Sequence, residues 1–183
     1  MSIVLTYFKP FNNNKDNISS SVIKDLDIKD TIKYELEVGY NTIEDDINRI
    51  LSTNPDILLL TGEASSREVL TIEKLAINLK SSEVSDNLGL KVFNERIDDG
   101  LDAYFSNVDV LKLNKELNSL GCNSRVSLSA GSFICNLSYY YALRKAKKEN
   151  LKTKVLFIHF PRNFNMIEDY QNTIKKIIEI LNK

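Results

Sequence analysis

The 183-residue sequence has two cysteines, Cys122 and Cys135, and a single histidine, His159. Two thiols do not make a disulfide framework. One imidazole without a close cysteine pair supplies too few ligands for a zinc-type centre, so neither a metal nor a cofactor is expected. Charge of either sign is not in excess: 24 Lys+Arg against 25 Asp+Glu leave a formal net charge of -1. That balance excludes the strongly basic character of a nucleic-acid binder. No apolar run reaches the ~18 residues that cross a bilayer, so no membrane partner is expected. The opening Met-Ser-Ile-Val-Leu-Thr enters a strand-like pattern with no basic leader, and a cytoplasmic location is expected. A reducing compartment also suits a free thiol.

Proline is equally sparse, and its three positions punctuate the chain. Pro10 stops a first buried strand, Ser2 to Phe8; Pro55 lies beyond a helix; Pro161 bounds an apolar run that ends in His159. Between them, Ile32 to Val38 alternates apolar and charged residues as a half-exposed strand. Thr42 is placed to cap a helix whose apolar face is Ile43, Ile47, Ile50 and Leu51. Asp56 to Gly62 reads as a buried parallel strand. Asp109 caps, and Gly121 closes, a helix carrying Val110, Leu113, Leu117 and Leu120. Ile167, Tyr170, Ile174, Ile177, Ile178 and Leu181 mark a last amphipathic helix. Strands alternate with helices, so the fold class is α/β: a three-layer α/β/α sandwich with a mostly parallel twisted sheet, in one domain spanning residues 1–183.

The stretch Ser127 to Leu143 carries the chemistry. Val126 and Leu128 alternate with polar residues, Ala130-Gly-Ser breaks the pattern, and Ile134, Leu137 and Tyr141 recur at helical spacing. Cys135 is thereby set at a helix N-terminus, where orphan amides and the positive end of the dipole lower a thiol's pKa and supply oxyanion donors. An isolated helical cysteine is ordinarily a buried, inert one. The histidine strand changes the balance, because sites in open α/β sheets collect at strand C-terminal edges and a thiol nucleophile needs an imidazole.

Four segments, in order, resemble the motifs of pyroglutamyl peptidase type I, also called pyrrolidone-carboxylate peptidase, a cysteine peptidase family. Thr6-Tyr-Phe-Lys-Pro-Phe-Asn-Asn is similar to its Thr-Gly-Phe-x-Pro-Phe-Gly-Gly signature. A second segment, Gly62-Glu-Ala-Ser-Ser-Arg followed by Thr71-Ile-Glu-Lys-Leu-Ala-Ile-Asn-Leu, is similar to Gly-Gln-Ala-Gly-Gly-Arg followed by Thr-x-Glu-Arg-Val-Ala-Ile-Asn-Leu. Ser129-Ala-Gly-Ser-Phe-Ile-Cys-Asn-Leu-Ser-Tyr-Tyr resembles the nucleophile segment, and Phe157-Ile-His-Phe-Pro the histidine segment. The resemblance implies a cysteine exopeptidase that removes N-terminal pyroglutamate from peptides, usually assembled as a tetramer. It implies Cys135 as nucleophile, His159 as base and Glu73 as the third triad member. It assigns Phe8, Phe11, Asn17, Glu63, Val84, Phe133 and Ile134 to the substrate pocket.

Departures from the family pattern are informative. Glu63 stands where the family has Gln, and an ionised glutamate can only accept hydrogen bonds. A carboxylate beside a neutral lactam needs a cation, and Arg67 is the nearest in sequence. Glu83 replaces a basic residue, which makes the expected surroundings of the site more acidic. Asn12-Asn13 replaces Gly-Gly, and asparagine tolerates the positive φ such a turn needs. Two other readings stay open: a related amide hydrolase with altered specificity, favoured by an acidic pocket, and a non-catalytic binding protein on the same fold.

Overall fold

The computed structural model describes residues 1–183. The first half of the chain forms β1 (Ile3–Phe8), α1 (Ile18–Ile23), β2 (Thr31–Leu36), α2 (Ile43–Leu51), β3 (Ile57–Glu63), β4 (Leu70–Glu73) and β5 (Leu75–Ile77). The second half forms β6 (Ala103–Phe105), α3 (Val110–Ser119), β7 (Ser124–Ser127), α4 (Ile134–Lys148), β8 (Lys154–Phe160) and α5 (Ile167–Leu181). Six strands make one sheet in the order β2-β1-β3-β8-β4-β7. Strands β2, β1, β3 and β8 run parallel; β4 pairs antiparallel with β8 and parallel with β7. The sheet is therefore mostly parallel, as expected, with a reversed pair at one edge. A separate antiparallel pair joins β5 to β6.

The central strands are buried on both faces, and their alternating side chains build two cores. Ile3, Leu5, Ile57, Leu59, Leu156 and Ile158 face α1, α3 and α5. Val4, Phe8, Leu58, Leu60, Val155 and Phe157 face α2 and α4. His159 follows the period-two rule onto the α4 side, between Ile158 and Phe160 of the opposite core. That placement brings the imidazole to the face where the cysteine helix packs.

Local chemistry follows the sequence at most turns. Asn12 and Asn13 adopt φ of 52° and 60°, and Gly121 closes α3 at φ 79°. Asp109 accepts from Lys112 N–H at 3.0 Å as the N-cap of α3. Thr42 differs. It precedes α2, but its hydroxyl donates to Gly39 O at 3.3 Å and caps no helical amide, because its own backbone is already helical. The three acidic residues of the first turn, Glu44, Asp45 and Asp46, answer the positive end of that helix instead.

Helix α4 is fixed by Asn136, which is fully buried. Its amide donates to Ile77 O and Leu79 O, both at 2.9 Å, and its Oδ1 accepts Ile77 N–H at 2.9 Å. One side chain thus substitutes for a strand partner beside β5 and locks the first turn of α4. Asn136→Ala orphans three backbone groups, so a loss of roughly 2–4 kcal/mol is expected in denaturant unfolding. A loss below about 0.5 kcal/mol would contradict this clamp.

Candidate active site

Cys135 is the second residue of α4, whose N-cap is Phe133. Leu137 N–H is the amide that returns to Phe133 O. The amides before it, including that of Cys135, start the helix without an i-4 acceptor. A Cβ on Gly62 would lie 2.8 Å from Cys135 Sγ and 3.0 Å from the Phe157 ring. Glycine at that position is what lets the helix end approach the sheet. Gly62 is the register partner of His159 across β3 and β8, so the thiol rests over the strand position beside the histidine.

His159 is buried, and its Nδ1 lies 2.8 Å from Glu73 Oε1. A carboxylate accepts only, so the neutral imidazole donates through Nδ1–H and leaves Nε2 as its acceptor. The ring also packs on Phe157, centroids 4.7 Å apart. Glu73 is fully buried at the end of β4, and Tyr139 Oη donates to its main-chain oxygen at 3.0 Å. Its charge is met by Arg67, whose Nη2 is 3.1 Å from Glu73 Oε1. Arg67 also donates to Thr71 Oγ1 and to Ser129 O, each at 2.7 Å. It therefore ties the β3–β4 loop, the glutamate and the segment leading to Cys135 into one unit. Sequence reading gave Arg67 to Glu63; the structure gives it to Glu73.

The cation at Glu63 is Arg162, two residues beyond the end of β8. Its Nη1 lies 3.0 Å from Oε1 and 2.8 Å from Oε2 of Glu63. The sequence signal was available, because Arg162 follows the Pro161 that ends the histidine strand. Glu83 is exposed near Lys91 and lies outside the cleft, so the expected acidic surroundings do not form there.

A cleft of about 240 Å³ connects these groups. Cys135, His159, Phe8, Phe11, Asn17, Glu63, Phe133 and Ile134 all line it. Val84 is half-buried in the segment after β5 and is not among its lining residues. Glu73 stands behind His159. Phe11 and Phe133 are 6.2 Å apart between centroids, and Tyr40 packs edge-on against Phe133 at 5.6 Å. Asn17 caps α1 by accepting Ser19 N–H at 3.0 Å and holds the β1 loop through Lys9 O at 3.3 Å. The volume is below the 300–1,000 Å³ of drug-sized sites, so it suits a small head group, with the rest of a ligand outside.

The chain matches the family model described as pyroglutamyl peptidase over residues 1–178. It belongs to the pyroglutamyl peptidase family. A pyrrolidone-carboxylate peptidase of Brachyspira hyodysenteriae is 33% identical, with 100% of this chain and 98% of the relative covered. Pyrrolidone-carboxylate peptidase 1 of Saccharolobus solfataricus is 37% identical over 97% of this chain and 85% of its own length. The solved pyrrolidone carboxyl peptidase of Pyrococcus furiosus superimposes with a TM-score of 0.90 at 28% identity, covering 99% and 98% of the two chains. That of Thermus thermophilus gives a TM-score of 0.88 at 26% identity, with 97% and 98% covered. The family is one of cysteine-type exopeptidases, and membership extends over nearly the whole chain.

One electrostatic expectation is reversed. Burial, then the Glu73 and Glu63 charges, push the Cys135 thiol up to about 12, outweighing its own amide and Arg67. The helix end does not compensate for two nearby carboxylates and lost solvation. The Cys135 side chain therefore stays a thiol at neutral pH. Alkylation of Cys135 by iodoacetamide should accordingly be slow at pH 7 and rise about tenfold per pH unit beyond pH 9, with Cys135→Ala as blank. A plateau reached below pH 7 would show a preformed thiolate instead.

Proposed function

We propose that Cys135, His159 and Glu73 form the catalytic triad of a pyroglutamyl peptidase that acts on peptides with N-terminal pyroglutamate. The observation that carries this reading is the 2.8 Å His159–Glu73 bond beside a cleft lined by Cys135. Cys135 Sγ attacks the carbonyl carbon that follows the lactam ring, and His159 Nε2 takes the thiol proton. Glu73 accepts from Nδ1–H and stabilises the imidazolium, as the third member of a triad does. The amide of Cys135, at the start of α4, is placed to donate to the oxyanion. The proton then passes to the leaving amine. Water, activated by the neutral imidazole, releases pyroglutamate and restores the thiol. Phe8, Phe11 and Phe133 supply apolar faces for a small neutral ring, and Asn17 holds the loop that carries Phe11.

The same reading makes residues 1–183 one catalytic domain, working in the cytoplasm as a homo-oligomer, a tetramer by resemblance. Exposed Phe93, Phe105 and Leu88 offer apolar surface for such contacts. No helix is long and apolar enough to cross a membrane. Altered specificity through an acidic pocket loses its basis, since Glu83 lies outside the cleft and Glu63 is paired.

The test is release of a fluorophore from a pyroglutamyl amide. The native protein should turn it over, and Cys135→Ala should lose at least about a thousandfold. Turnover unaffected by Cys135→Ala would remove the nucleophile assignment. No turnover by a folded protein whose Cys135 still alkylates would remove the pyroglutamyl substrate.

A further inference from the structure

Among the cleft-lining side chains Glu63 is the one carboxylate, and its side chain is 3% exposed. It is not left alone there. Oε2 accepts Ile18 N–H at 3.0 Å and Arg162 Nη1 at 2.8 Å; Oε1 accepts Arg162 Nη1 at 3.0 Å. Arg162 is aimed in turn by Asp16, whose Oδ1 lies 2.5 Å from Nη2 and whose main-chain oxygen lies 3.3 Å from Nη1. The guanidinium also rests over the Phe164 ring at 5.1 Å. A carboxylate has about four lone-pair sites, and three are used here, with Oε1 the less occupied oxygen. A paired glutamate in this position is an acceptor wall: it takes an N–H and repels an oxygen lone pair. A glutamine would present a donor as well.

Resting on the pyroglutamyl reading above, we propose that Arg162 is a specificity-determining positioning residue. Held by Asp16, it neutralises and orients Glu63 so that Oε1 accepts the ring N–H of a lactam. The ring class selected is a five-membered lactam, and the corresponding γ-lactone, with oxygen in place of N–H, is rejected. Without Arg162 the buried carboxylate is uncompensated, recruits water, and must be desolvated again by each substrate.

The experiment compares a pyroglutamyl amide with the γ-lactone amide of the same fluorophore. The native protein should favour the lactam at least about a hundredfold in kcat/KM. Glu63→Gln, which can donate to the ring oxygen, should cut that ratio at least about tenfold. Arg162→Gln should raise KM for the lactam about tenfold or more, with kcat within about threefold. The double variant Glu63→Gln/Arg162→Gln should recover KM to within about threefold of native, because no unpaired charge remains. A purely structural Arg162 would give no such rescue. An unchanged KM in Arg162→Gln, a double variant no better than that single, or an unaltered ratio in Glu63→Gln overturns the inference. If Arg162→Gln does not fold, the Glu63→Gln ratio decides alone. A native protein inactive on the lactam amide overturns the pyroglutamyl reading itself, a failure distinct from cleavage with unaltered selectivity.

Discussion

A buried carboxylate is the constraint on which the rest depends. Glu73 has no exposed surface, and an ion taken out of water is tolerated only with good partners. Its Oε1 has three, His159 at 2.8 Å, Arg67 at 3.1 Å and Thr71 Oγ1 at 3.4 Å, while Oε2 has no hydrogen-bond partner. The reversed strand β4 exists in the sheet at the place that allows this, with Thr71 opposite His159 and Glu73 opposite Phe157. Arg67 reaches across to Ser129, so the charge that stabilises the glutamate also steadies the segment leading to Cys135. Fixing the imidazole tautomer and supporting the cysteine segment are one electrostatic arrangement.

The second requirement is close approach. Helix α4 must bring its first turn down onto β3, and Gly62 leaves the space for Sγ that any side chain would fill. Asn136 holds the turn there through three hydrogen bonds to the β5 segment. A thiol on the cleft wall that feels the charges of Glu73 and Glu63 is hard to ionise. In the proposed mechanism the chemistry then depends on His159 as a base during the reaction rather than on a thiolate waiting at the helix end.

Much of this was legible in the sequence. Period-two and period-3.6 patterns located the central strands and the long helices, because burial on both faces leaves continuous apolar runs such as Ile57 to Leu60. Four motifs in order indicated Cys135, His159 and Glu73. What escaped reading were long-range pairings. Leu70 to Glu73 is too short and too mixed to announce a strand, and its direction is set by partners far along the chain. Arg67, expected at Glu63, meets Glu73, and Arg162, which had no expected role, meets Glu63, because sequence proximity is a poor guide to which carboxylate a guanidinium meets. The thiol's environment was misjudged for the same reason: the dipole is local and visible, whereas desolvation and the two glutamate charges come from tertiary packing. Thr42 failed as a side-chain cap because its own backbone had already turned helical.

With one histidine in the chain, the state of its ring can be observed without assignment. The most direct measurement is the ¹⁵N NMR spectrum of the imidazole in its neutral form. A proton on Nδ1, with Nε2 bare and acceptor-like, is the expected result, and Glu73→Gln should disturb it. A proton on Nε2 instead would mean that Glu73 does not set the tautomer, and it would contradict the role of His159 as the base for Cys135.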